Sequence, residues 1–188
     1  RGERLLCLAP AAIAKTGQQA NVGLMGDAFF DEAFCRAVVR AILEGRSLQT
    51  AHGSLHFRAT QRGREIQPDE VERLPVSAPT ALSSNTVVML DEQLFLKGYR
   101  QIRPGMNPEL EMGRFLTEVA GFAHAVPVLG AIEYEAKDGT VSTLGLLQAY
   151  VPNQGDGWSY TLDYLERHLA ELRDADGATA RPDPHGAF

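Results

Sequence analysis

The sequence predicts an α+β chain: a strand-rich N-terminal region holding one long helix, then an antiparallel sheet with one packed helix. Three observations carry this. Phe30, Phe34, Val38 and Ile42 recur four apart, with Ala33, Ala37 and Ala41 beside them, which is the apolar face of a helix. Several short runs alternate or are β-branched, as strands are. The second half reads strand, strand, helix, strand, strand, with turn residues at each change.

The elements follow in order. The N-terminal region mixes strand-like runs with the helix, expected from about Ala28 to Glu44 with Asp27 as its cap and Gly45 as its stop. Ser54 to Thr60 alternates as a strand, and Gln61-Arg62-Gly63-Arg64 reads as a turn. Pro75 to Ser84 carries two prolines and small polar residues, which marks a boundary. Thr86–Leu90 and Leu94–Tyr99 form a hairpin around Asp91-Glu92-Gln93. Asn107 can cap a helix whose first residue is Pro108. That helix is expected to reach about Ala120 and to bury Met112, Phe115, Leu116 and Val119. Strands near Val128–Glu135 and Ser142–Val151 flank a Lys137-Asp138-Gly139 turn. A last helix, about Tyr160 to Arg173, puts Leu162, Leu165, Leu169 and Leu172 on one face; the tail beyond it is expected to be mobile. The expected divisions are 1–78, 79–158 and 159–188.

Composition narrows the class. The 188 residues are 44% hydrophobic and 22% charged, as in ordinary globular proteins, so wholesale disorder is not expected. A net charge of -6 argues against nucleic acid as a partner, because phosphate binding needs a basic surface. No apolar run is long enough to span a bilayer, so no membrane association is expected. The first ten residues are too short for a secretory signal, and Arg1 in place of an initiator Met suggests a piece of a longer chain. Cys7 and Cys35 do not make a disulfide framework; reduced thiols in a cytoplasmic protein are the expectation. His52 and His56 form the one close histidine pair, on a strand where they are not a natural ligand set, and no metal site is expected.

The chemistry lies in the second half. Leu94-Phe95-Leu96-Lys97 puts one lysine among apolar neighbours on a strand, where a bare ammonium is costly unless paired. Strand, strand, helix, strand, strand with such a lysine is the layout of a kinase small lobe, where phosphate oxygens and a helix carboxylate satisfy it. Glu109, Glu111 and Glu118 are candidate partners; periodicity alone leaves Glu109 and Glu111 flanking the expected apolar stripe on opposite sides.

Longer strings add a resemblance. Ser84-Asn85-Thr86, Leu96-Lys97-Gly98-Tyr99-Arg100, the run from Pro104 through Asn107-Pro108-Glu109-Leu110-Glu111-Met112-Gly113-Arg114-Phe115-Leu116 to Thr117, and Leu147-Gln148-Ala149-Tyr150-Val151-Pro152-Asn153-Gln154-Gly155-Asp156-Gly157-Trp158 are similar to the bacterial maltokinase family, whose members often occur fused behind trehalose synthase. The match is good from Ser83 to Glu166 and looser over residues 27–60. The resemblance implies a fold like protein kinases and aminoglycoside phosphotransferases preceded by a cap, here residues 1–78, with 79–158 as the nucleotide-binding lobe. It implies transfer of the ATP γ-phosphate to O1 of maltose, with ATP, Mg2+ and maltose required by the complete enzyme and no cofactor needed for this chain to fold. By position, Ser84, Asn85, Thr86 and Lys97 would meet the ATP phosphates, Glu111 would orient the lysine, and Gln148 and Tyr150 would lie at the adenine hinge. Two departures stand out. Leu82-Ser83 replaces the family's usual Glu-Gln, and Asp163, Asp174, Asp176 and Asp183 lie in no motif for a catalytic or metal-binding aspartate. Catalytic and metal residues are therefore expected outside this chain, which would be inactive alone. The other expectation is a non-catalytic docking module of a trehalose synthase–maltokinase fusion.

Overall fold

The computed structural model describes residues 11–18, 21–77, 85–153 and 155–179. The chain divides between Val151 and Pro152 into two compact units. It is a mixed α+β structure with antiparallel sheets.

In the first unit, β1 (Ala12–Gln18) and β2 (Asn21–Gly26) form an antiparallel pair. The helix that follows starts later than expected. Asp27 accepts from the Phe29 amide and caps only a 3-10 turn, Ala28–Phe30. Asp31 caps the helix proper, α1 (Glu32–Glu44), accepting from the amides of Ala33 and Phe34. Both aspartates satisfy otherwise orphaned N–H groups. Gly45 ends α1 at φ 67°, a left-handed conformation that favours glycine.

Among the described residues the main sheet has six strands. They are β3 (Ser47–Thr50), β4 (Gly53–Ala59), β5 (Thr86–Leu90), β6 (Leu94–Gly98), β7 (Val128–Ala136) and β8 (Val141–Ala149). Their order is β3-β4-β7-β8-β6-β5, with every pairing antiparallel. Strands from both sides of the expected 78/79 division thus share one sheet; residues 78–84 lie outside the described set.

The sheet has two unlike faces. On one, Cys35, Val39 and Ile42 of α1 are fully buried against Val88, Leu90, Leu96 and Leu147. Gly130 makes this close approach possible, since a Cβ there would stand 2.3 Å from Ile42 Cγ2 and 2.6 Å from the Arg58 carbonyl oxygen. On the other face lies α2 (Pro108–Arg114), which continues as a π-helical turn over Phe115–Val119. Asn107 caps it, with Pro108 as its first residue.

α2 does not bury the stripe that its sequence suggests. Leu110 is the side chain pressed onto Val128, Ala131 and Leu146, while Met112, Phe115 and Val119 are exposed. Gly113 gives the physical reason. A Cβ there would meet Val128 Cγ2 at 2.5 Å, so the helix turns its smallest residue inward to approach β7 closely.

The second unit contains α3 (Gly157–Thr179), longer than expected at both ends. Asp156 accepts from the Ser159 amide at 2.8 Å, which holds its carboxyl below the usual carboxylate range. Leu162, Leu165, Leu169 and Leu172 are all exposed along α3. Among the described residues no helix is long and apolar enough to cross a membrane.

Candidate functional site

Strand alternation sets the site. In β6, Leu94, Leu96 and Gly98 point into the α1 core, so Phe95 and Lys97 point to the face that carries α2. Register extends this surface across the sheet. Lys97 lies opposite Val87 on one side and Leu146 on the other; Phe95 lies opposite Met89 and Gln148. Val87, Met89, Phe95 and Gln148 are half-buried, so the lysine stands beside a partly open, mostly apolar surface.

The lysine is paired. Its Nζ donates to Glu109 Oε2 at 2.8 Å and to Oε1 at 3.0 Å. Tyr99, two residues on and therefore on the same face, donates its hydroxyl to Glu109 Oε2 at 2.7 Å. Lys97 Nζ also lies 5.5 Å from the Tyr99 ring centroid, within cation–π range. The Lys97 side chain is 19% exposed and that of Glu109 38% exposed. Burial pushes the Tyr99 phenol well above its ordinary range, reinforced by the hydrogen bond and negative charge of Glu109. The phenol therefore stays a neutral donor at any ordinary pH.

The partner differs from the one that the resemblance implies. Glu111 is exposed and makes no ion pair among the described residues. The reason is the rotation of α2 just described. With Leu110 and Gly113 turned to the sheet, Glu109 falls on the side facing β6 and Glu111 on the solvent side.

The other expected residues fall in different places. Ser84 lies outside the described residues, and Asn85 is half-buried at the start of β5. Thr86 alternates to the core face, opposite Gly98. Its buried hydroxyl donates to Asp27 Oδ2 at 3.4 Å and accepts from Arg100 Nε at 3.1 Å. That hydroxyl is not presented to the surface beside Lys97. Gln148 does share the face of Lys97. Tyr150 follows the end of β8, and its backbone N–H is committed to the Gln93 carbonyl at 2.8 Å, so it is not a free hinge donor.

Sequence reading missed Tyr99 as a member of the cluster; its i+2 spacing from Lys97 on a strand is the signal that finds it. It also missed the Asp27–Thr86–Arg100 chain, which joins residues far apart in sequence and leaves no local pattern. His56 of the histidine pair bonds through Nδ1 to Ser47 Oγ at 2.9 Å. Among the described residues no group of three or more His, Cys, Asp or Glu side chains could hold a metal ion. No protein-family model matches the chain.

Proposed function

We propose that this chain is the cap and nucleotide-binding lobe of a cytoplasmic maltokinase, a kinase-like small lobe that acts with further residues to move the ATP γ-phosphate to maltose. The observation that carries the reading is the Lys97–Glu109 pair: a half-buried strand lysine held by a carboxylate in the first turn of the next helix. A structural ion pair could be placed anywhere on a sheet. This one borders a half-buried, mostly apolar surface of Val87, Met89, Phe95 and Gln148.

In this reading the apolar surface takes the adenine and Lys97 meets phosphate oxygens as a fixed positive charge. Glu109 orients the ammonium, and Tyr99 fixes Glu109. Asn85 and Ser84 would border the phosphates, with Thr86 anchoring their segment through Asp27 and Arg100. Mg2+ would neutralise phosphate charge during transfer, but the described residues offer no donor set that fits it, so no step is assigned through the metal.

Calorimetric titration of ATP into the chain tests this. Wild type is expected to bind, and Lys97→Ala to weaken binding by about tenfold or more, the effect of losing a charge-assisted contact. Equal affinity in both would remove Lys97 from any nucleotide site. The chain alone is expected to make no maltose 1-phosphate from ATP and maltose. A docking module for a trehalose synthase partner is the second reading, favoured by the exposed Leu162, Leu165, Leu169 and Leu172 of α3. It predicts no ATP binding at all.

A further inference from the structure

A cavity in the first unit lies away from Lys97. It is a groove of about 590 Å3 where β4, β7, the end of α1 and the later part of α2 meet, and Arg58, Arg64 and Arg114 all line it. A neighbouring hollow of about 530 Å3 shares Arg58, Leu110, Arg114 and Glu133 with it. Volumes of this order suit a small molecule.

The arginines are held in a particular way. Arg58 forms an ion pair with Glu133, Nε to Oε2 at 2.9 Å. Arg114 bonds Glu118 Oε2 through Nε at 3.0 Å. In both, the terminal Nη1 and Nη2 groups make no hydrogen bond among the described residues. Their side chains remain 57% and 54% exposed. Each guanidinium is thus oriented by one nitrogen while its two-nitrogen edge stays open. Arg64, on the same groove, makes no ion pair among the described residues.

That open edge is the one that matches two oxygens of a phosphate. The groove lining carries Arg58, Arg64 and Arg114 against Glu44 and Glu133, and Glu118 pairs Arg114 beside it, so the charges balance in a chain of net charge -6. A diffuse basic field is therefore not the recognition device; directed N–H groups are. Leu110 and Ala131 supply an apolar floor between them.

We propose that this groove binds the phosphate group of a small phosphorylated compound, at a site separate from the Lys97 surface. Arg114 follows Glu109 by five residues, about 7–8 Å further along a helix. The site would stand even if Lys97 bound no nucleotide.

The test is NMR of the full chain, following the arginine Nε–Hε signals during titration with inorganic phosphate and, separately, glucose 6-phosphate at constant ionic strength. Saturating shifts at Arg58 and Arg114 are expected, unchanged by Lys97→Ala. Tighter binding of glucose 6-phosphate than of phosphate would mean that the sugar also contacts the groove; equal binding would mean that phosphate alone is recognised. Arg58→Gln and Arg114→Gln should each weaken binding by about tenfold or more. Each breaks an ion pair, so Arg64→Gln is the companion variant: exposed, in no ion pair among the described residues, and expected to weaken binding without lowering the melting temperature. Shifts that grow linearly without saturating would overturn the proposal. So would shifts that survive Arg58→Gln combined with Arg114→Gln, or that vanish in Lys97→Ala.

Discussion

The two faces of the main sheet are built from the same strands and do opposite things. On the α1 face every alternate residue of β5 and β6 is buried, and Cys35, Val39 and Ile42 close the layer. On the α2 face the residues between them are half-buried and include a charge, Lys97, with a carboxylate and a phenol arranged around it. Residues one position apart in β6, Leu96 and Lys97, therefore answer to different demands. Leu96 is set by packing and Lys97 by pairing. Mutations on the two faces should separate stability from chemistry.

The largest effect expected is on the packed face. Ile42→Ala should cost about 2–5 kcal/mol of unfolding free energy, because its cavity is lined by Gly130 and strand backbone that cannot collapse. Denaturant titration reads this directly, and a loss well below that range would mean that α1 packs more loosely than described. Lys97→Ala should do the reverse. On the proposed reading, turnover of the complete enzyme should fall at least ~10²-fold, the scale of losing a preorganised charge at a transferring phosphoryl group, with a smaller loss of melting temperature than in Ile42→Ala. A variant that melts early and keeps its turnover would make the pair structural.

Smaller effects sharpen the contrast. Tyr99→Phe removes one hydrogen bond to Glu109 and should cost about 1 kcal/mol in thermal unfolding. No change in melting would place that bond outside the folding energetics. Cys35 gives a pH-dependent check on the packed face. Burial, with the charges of Asp31 and Asp27 behind it, pushes its thiol up to about 11. The folded state then holds the proton more tightly than the unfolded state. Its stabilisation is whole below the thiol's ordinary value near 9 and is lost as pH rises toward 11. Peptide mapping after alkylation at pH 8 should find Cys35 unmodified in the native chain and modified after unfolding.

Much of this was legible in the sequence because turn and cap chemistry is local. Asn107-Pro108, Gly45 and Lys137-Asp138-Gly139 each mark an element end that the structure keeps. Thr86–Leu90 and the lysine strand could be read from alternation alone. What could not be read depended on contacts between elements. The rotation of α2 is decided by Gly113 against Val128, fifteen residues away, and that rotation chooses Glu109 over Glu111. The start of α1 moved from Asp27 to Asp31 because both can cap, and Asp27 also bonds Thr86 across the fold. β3 is short and wholly exposed, so it has no apolar pattern to betray it.

Lys97 pairs with the carboxylate that the sequence alone left open, and one comparison tests what that pairing does. ATP affinity would be measured for wild type, Glu109→Gln and Glu111→Gln, each first shown to melt like wild type. Glu111→Gln should bind as wild type does, and Glu109→Gln should bind several-fold more weakly, since the ammonium loses the carboxylate that aims it. If Glu109→Gln binds ATP as wild type does while Glu111→Gln fails, the Lys97–Glu109 pair is not what prepares this face for a nucleotide.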